Sequence, residues 1–323
     1  MSHLTREQRY TICTMLQSGY PQCEIARVIN KDKSVVSREI RRNADARSGE
    51  YKDDLAHRKY LKRQAYKAKA RTFTPEVEAY VRDKLRLKYS PEQIAGVAKT
   101  NGDNCVSHER IYQFIWQDKR KKGTLYLDLR NRGRRYKKRS VIYDKRGTIP
   151  NRTDISLRPP EVEQRERFGD LEIDLIIGKN HKNAILTIND RATGLAKLCK
   201  LTGKDAEQLA VATIDCLKDW KPYLHTITSD NGKEFSSHQM IATELNIDFF
   251  FAKPFASWQR GSNENYNRLV RQYIPKKVDF DYVTHDYVKY VEQQLNNRPR
   301  KRFGFLSPNQ IVSKVWNTLE KSG

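Results

Sequence analysis

Apolar residues recur at helical spacing through the first fifty positions and at alternating spacing after about residue 165, so the chain holds two kinds of structure. Residues 5 to 43 predict three short helices. Tyr10, Ile12, Met15 and Leu16 are the apolar positions of the first, and Ile25, Ala26, Val28 and Ile29 those of the second. Gly19 and Pro21 punctuate the join between them. A polar turn from Asn30 to Lys33 leads to Ser34 as the expected N-cap of the third helix, in which Val35, Val36 and Ile40 face inward. Ser37, Arg38, Arg41 and Arg42 face outward. With Ser34 at the helix start, they form the polar surface that the second helix of a helix-turn-helix presents to base edges in the major groove. A plain bundle with a solvated basic face is the blander reading. The small Ala26 at the helix crossing, the short turn and the basic third helix together favour DNA.

Residues 51 to 72, rich in Lys, Arg, Ala and Tyr, predict a basic helix or linker. A second helix-turn-helix-like unit follows at 90 to 116. Ser90 is its N-cap, Pro91 its first helical residue, Ile94 and Ala95 its apolar pair, Asn101-Gly102 its turn, and Ser107 the opening of its second helix. Its weaker basic character leaves packing or dimerisation open beside DNA contact. After residue 165 the period becomes that of strands. In 168–178, Leu171, Ile173, Leu175 and Ile177 take one face, and Asp170, Glu172 and Asp174 the other. Residues 183–190 and 194–201 predict the next two strands of an antiparallel meander, and 204–219 an amphipathic helix. The strand at 224–230 ends on Asp230. A helix near 236–245, an apolar strand at 247–252 and a helix capped by Ser262 complete the pattern. On that last helix Glu264, Arg268 and Arg271 share one face.

Composition narrows the partner. Lys and Arg number 62 and Asp and Glu 39 among 323 residues, a net charge of +23, which favours a polyanion. No stretch approaches the roughly 20 apolar residues of a spanning helix, and the N-terminus does not resemble a signal peptide. A cytoplasmic, DNA-associated protein without a membrane partner is expected. Five scattered cysteines form no C-x-x-C pair, and most of them are expected as small buried hydrophobes. The histidines form no metal-binding pair, so any metal is held by oxygen. The densest basic stretch, 119–146, includes Arg134, Arg135, Lys137 and Lys138. It cannot form a core alone but can lie along duplex DNA and release counterions.

Asp174 in the E-x-D element, Asp230 in TSDNGKEF and Glu264 in GSNENYNRLVRQ resemble, in order and spacing, the DDE catalytic core of retroviral integrases and bacterial transposases. The helix-turn-helix pair, SPEQIA, VSHERIY and the tail NNRPRKRFGFLSP narrow the resemblance to transposases of the insertion-sequence thirty family. It covers most of the chain. Leu171 stands where many relatives carry Trp, a packing position, and Asp190-Arg191 differs from the family's Glu-Arg.

The resemblance implies an RNase H-like α/β core with a mixed five-stranded sheet, preceded by all-α DNA-binding domains. The expected divisions are 1–50, 51–117, a basic linker at 118–160, and a core at 161–323. It further implies a transposase that binds terminal inverted repeats as double-stranded DNA, nicks to free a 3′ hydroxyl, transfers that end to target DNA through a circular intermediate, and works as a homodimer or larger assembly. Phosphodiester transfer needs the attacking and leaving oxygens stabilised in line, which two Mg²⁺ about 3.5–4 Å apart can do; Mn²⁺ would substitute. Asp174 would bridge both ions, Asp230 complete one site and Glu264 the other, while Arg268 and Arg271 steady phosphate. Glu172 is expected to be an ordinary solvated strand residue, His181 a surface turn residue, and Asn231 and Gly232 shapers of the turn after Asp230. Phe249, Phe250, Phe251 and Trp258 are expected as core and loop anchors. Two rivals remain: a DNA-binding repressor, which a broken carboxylate set would signal, and a metal-independent tyrosine or serine recombinase.

Overall fold

The computed structural model describes residues 3–66, 73–132, 149–179, 182–203, 205–254, 256–276 and 278–319. The chain divides into two compact units, Met1–Arg71 and Thr72–Gly323.

In the first unit α1 (Arg6–Gln17), α2 (Gln22–Val28) and α3 (Lys33–Asn43) are the three expected helices, and α4 (Asp53–Tyr66) is a fourth. Thr5 and Gln8 cap α1 reciprocally, satisfying two N–H groups that a helix start leaves free. Ile12, Ile25, Val36 and Ala56, one from each helix, are fully buried in a common core. Tyr10 and Val28, expected on the apolar faces, are instead 63% and 62% exposed, because the apolar pattern of helices as short as these does not separate the edge of a face from its centre. Asp32, not Ser34, caps α3, accepting the Ser34 backbone N–H at 2.7 Å. The helix therefore starts earlier than the sequence suggested. Arg9 is buried, bonds Glu39 at 2.7 Å and lies over the Tyr60 ring, which joins α1 to α3 and α4. Part of the basic run on α4 is used within this unit. Lys59 donates to the Ala44 carbonyl at 2.7 Å and Arg63 to Asn43 Oδ1 at 2.6 Å, closing the C-terminal end of α3.

The second unit begins with α5 (Pro75–Arg86), α6 (Pro91–Asn101) and α7 (His108–Arg120), packed around Val81, Leu85, Ile94, Ile111 and Ile115. The signals noted in 90–116 act as expected. Ser90 and Gln93 form a capping box, Pro91 opens α6, Gly102 ends it at φ 76°, and Ser107 caps α7.

The sheet follows with β1 (Thr153–Asp154), α8 (Glu161–Gln164), β2 (Asp170–Ile177), β3 (Ala184–Asp190), β4 (Ala196–Leu201), α9 (Ala206–Leu217), β5 (Thr226–Ser229), α10 (His238–Leu245) and β6 (Asp248–Phe251). Helices α11 (Gly261–Tyr273), α12 (His285–Asn296) and α13 (Pro308–Leu319) complete the unit. The strand order is β1-β6-β5-β2-β3-β4, with β2, β3 and β4 an antiparallel meander and β5, β6 and β1 running parallel to β2. This is the expected mixed RNase H-like architecture, except that the sheet has six strands and not five. The addition, β1, pairs its two residues with Phe250 and Phe251; a strand so short carries no periodicity to read.

Both faces of the sheet are covered. Leu209, Ala210 and Leu217 of α9 and Ile241 and Leu245 of α10 pack on one face. Tyr266, Leu269 and Val270 of α11 and Val288, Val291 and Leu295 of α12 pack on the other, over Ile176 and Ile185. The alternation in β2 thus separates two buried faces, not a dry one from a wet one. The tail NNRPRKRFGFLSP joins α6 to the core. Arg298, 2% exposed, donates to Gln93 Oε1 at 3.1 Å and Gln272 Oε1 at 2.7 Å. Gly96 leaves room for the Phe305 ring, whose nearest atom would lie 2.2 Å from a Cβ there. That face of α6 is used for packing inside the protein. Of the cysteines only Cys13 is buried outright, and Cys23 is exposed, which corrects the expectation for the set. No described helix is long and apolar enough to cross a membrane.

Candidate active site

Parallel pairing of β2 with β5 places Glu172 opposite Thr228. Two residues on along each strand direction come Asp174 and, just past the end of β5, Asp230. Period-two alternation keeps both on the side they share with their paired neighbours. Their carboxylates flank a single cation: Arg260 Nη1 lies 3.5 Å from Asp174 Oδ2, and Arg260 Nη2 lies 3.5 Å from Asp230 Oδ2. Arg260 closes the 3₁₀ turn Ser257–Arg260 that leads into α11. Asn267, one turn past Glu264, donates to Asp174 Oδ2 at 2.9 Å, and Asp174 Oδ1 accepts the Leu175 N–H at 2.8 Å. Burial pushes the Asp174 carboxyl up to about 6; Arg260 opposes this shift, and the nearby Asp230 adds to it. Asp230 Oδ1 accepts the Gly232 N–H at 3.0 Å, and Asn231 is anchored to the Ala252 carbonyl and to Arg152. Both residues therefore shape the turn as expected.

Glu264 lies half-buried in the first turn of α11. Helix α11 starts at Gly261, so Ser262 is not its cap, and the Ser262 Oγ is buried without a hydrogen-bond partner. The backbone before Ser262 is already helical, which removes the position a cap would need. Glu264 does not complete a cage: among the described residues no three His, Cys, Asp or Glu side chains converge as a metal site. The Asp174–Asp230 pair fits a divalent cation all the same, because it already holds a guanidinium between two hard oxygen donors. Mg²⁺ typically takes only one or two carboxylates, completing its shell with water and substrate.

Beside Glu264, Arg130 donates to the Asn265 carbonyl at 3.1 Å and to Asn265 Oδ1 at 2.7 Å. Its guanidinium is disfavoured mainly by burial, then by Arg268, and is favoured by Glu264. Arg268 is exposed. Arg271 turns away from that surface: it donates to the Ile177 carbonyl at 2.8 Å and lies against the Phe280 ring. The face expected to carry Glu264, Arg268 and Arg271 thus keeps the first two, while Arg271 ties α11 to the end of β2. In the first unit Ser34, Ser37, Arg38, Arg41 and Arg42 are all exposed on α3, and Arg38 folds back onto Ser34 Oγ at 2.9 Å. Arg134, Arg135, Lys137, Lys138 and His181 lie outside the described residues.

Two expectations are corrected here. Glu172 is not a solvated strand residue: it is completely buried, paired with Arg191, and accepts the Asn263 N–H at 2.8 Å. Trp258 is not a buried anchor but 76% exposed on the turn that carries Arg260. Phe249, Phe250 and Phe251 are buried as expected. The sequence reading missed Arg260, Asn267 and Arg130. The first two stand within four residues of Glu264, so proximity to the expected acid was the available signal.

Residues 1–43 match a family model described as a helix-turn-helix domain. The transposase for insertion sequence element IS4351 of Bacteroides fragilis is 52% identical over 98% of this chain and 97% of its own length. Transposase InsI for element IS30A of Escherichia coli (strain K12) is 31% identical over 97% of this chain and 84% of its own. The chain belongs to the IS30 family of transposases. Among solved structures, the catalytic core domain of BIV integrase aligns to this IS30-family chain with a TM-score of 0.38 and 17% identity, covering 47% of this chain and 97% of that one.

Proposed function

We propose that this IS30-family transposase binds the terminal inverted repeats of its element, nicks DNA to free a 3′ hydroxyl and joins that end to another strand, with Asp174, Asp230 and Glu264 as the catalytic carboxylates. One observation supports this reading above the rest: two carboxylates from adjacent strands grip a single cation beside the first turn of the helix that carries Glu264. Two divalent cations, Mg²⁺ with Mn²⁺ as substitute, would be held by Asp174, Asp230 and Glu264, and would stabilise charge on the attacking and leaving oxygens.

The chain's own residues prepare that site. Asn267 and the Leu175 N–H hold the two oxygens of Asp174, and the Gly232 N–H holds Asp230 Oδ1, so the carboxylates are kept with Oδ2 of each toward Arg260. Arg130 and Arg268 set two positive charges next to Glu264, where a phosphate of the DNA end is the complementary anion. Two ends must be brought together, so a dimer or larger assembly is part of the proposal.

Duplexes carrying the flanking inverted repeats provide the test. Nicked and joined products should form with Mg²⁺ and vanish with EDTA. Repeat binding without cleavage, where control transposases cut, would make the protein a repressor. Recognition by α3 is tested separately. Arg38→Ala with Arg41→Ala should weaken repeat binding about tenfold or more, at roughly 1–3 kcal/mol per base contact, while a presented substrate is still nicked. Unchanged affinity in a gel-shift titration would reject α3 as the reading helix.

A further inference from the structure

We infer that Arg260 is a built-in counter-cation of the Asp174–Asp230 pair, which holds the place of a divalent cation and leaves when that cation binds. The inference rests on the metal reading above and deepens it.

Two arginines in this unit, Arg191 buried and Arg260 half-buried, allow a comparison. Arg191 uses every guanidinium nitrogen: Nε donates to the Val162 carbonyl, Nη1 to Glu172 and Nη2 to Glu163. That is a fixed structural tie. Arg260 has contacts of 3.5 Å to each carboxylate, beyond the 2.7–2.9 Å typical of charge-assisted hydrogen bonds, and its buried Nε has no hydrogen-bond partner. Its one firmer bond, from Nη1 to the Ile173 carbonyl, measures 3.2 Å. Arg260 is therefore held mainly by charge, and charge is what a divalent cation supplies in greater amount.

Geometry makes the two occupants exclusive. Arg260 faces Oδ2 of both aspartates, and the opposite oxygens, Oδ1 of each, already accept backbone N–H groups. A cation bound about 2.0–2.1 Å from those Oδ2 atoms would stand in the guanidinium's position and repel it. Arg260 ends a short turn at the start of α11, and the adjoining Gly261 is exposed, so solvent lies next to the residue that must swing out. A DNA phosphate is the anion that would receive the displaced guanidinium.

The test is Mn²⁺ binding to the full-length protein without DNA, followed by loss of the free-ion electron paramagnetic resonance signal. Arg260→Gln should bind Mn²⁺ at least about tenfold more tightly than wild type, about 1.4 kcal/mol. Adding Asp174→Asn to it should remove the gain. Arg260→Lys, which keeps the charge with fewer donors, should fall between the two and serves if the Gln variant does not fold. Equal or weaker binding by the Arg260 variants, still dependent on Asp174, would show that Arg260 positions the carboxylates and would overturn the exchange alone. No Asp174-dependent binding in any form would overturn the metal reading and the exchange with it.

Discussion

Replacing Asp230 with Asn is expected to reduce strand joining at least about a thousandfold, roughly 4 kcal/mol of transition-state stabilisation, while binding to the inverted repeats is unchanged. The substitution keeps the shape of the side chain, and an amide oxygen can still accept the Gly232 N–H that Asp230 Oδ1 accepts at 3.0 Å. The turn after β5 should therefore survive. What is lost is one of the two negative charges that share the cation, and Arg260 is left with Asp174 alone. Repeat binding is assigned to α3 in the other compact unit, so gel-shift affinity should stay within about twofold. Single-turnover joining of a pre-nicked end is the decisive measurement, because it separates transfer from recognition and from the first cut. A rate within tenfold of wild type would sink the assignment of Asp230, and with it the paired-carboxylate mechanism.

The parts of this molecule legible in the sequence are those where a local rule acts alone. Ser90, Pro91 and Gly102 bound α6 because caps and left-handed glycines work through the backbone within one turn. Asp174 and Asp230 were legible because each sits in or at the end of a strand with strong periodicity, inside motifs that mark a family. Where tertiary contact decides, the reading failed. Glu172 occupies a position that alternation makes polar, and only α11 over that face and Arg191 from the turn after β3 turn it into a buried ion pair. Arg260 stands in a polar loop with nothing to show that it reaches back to β2 and β5. The tail NNRPRKRFGFLSP was recognisable as a family mark, yet its physical role depends on Arg298 meeting Gln93 from more than two hundred residues earlier. The two residues of β1 became a strand through β6, not through their own propensity.

Arg191→Met should cost the second unit about 3–5 kcal/mol, the range for removing one partner of a buried ion pair. Arg191 is 1% exposed and Glu172 is fully buried, so the orphaned carboxylate keeps only the Asn263 N–H, at 2.8 Å. That remaining bond explains why the loss should reach the site. Glu172 lies two residues before Asp174, and Asn263 immediately precedes Glu264, so the buried carboxylate fastens the start of α11 to β2. Once Glu172 is unpaired, a shift toward water would relieve its charge and loosen the seat of Glu264. Stability measured by urea unfolding should recover in part when Glu172→Gln is added, because the amide can still accept the Asn263 N–H without carrying an unpaired charge. Joining should recover in the same order as stability if the carboxylate's structural role is the whole of its contribution. A single variant that loses less than about 1 kcal/mol would mean that Arg158, which also bonds Glu163 in this cluster, moves in to neutralise Glu172. The fastening of α11 would then belong to the charged cluster as a whole and not to Arg191.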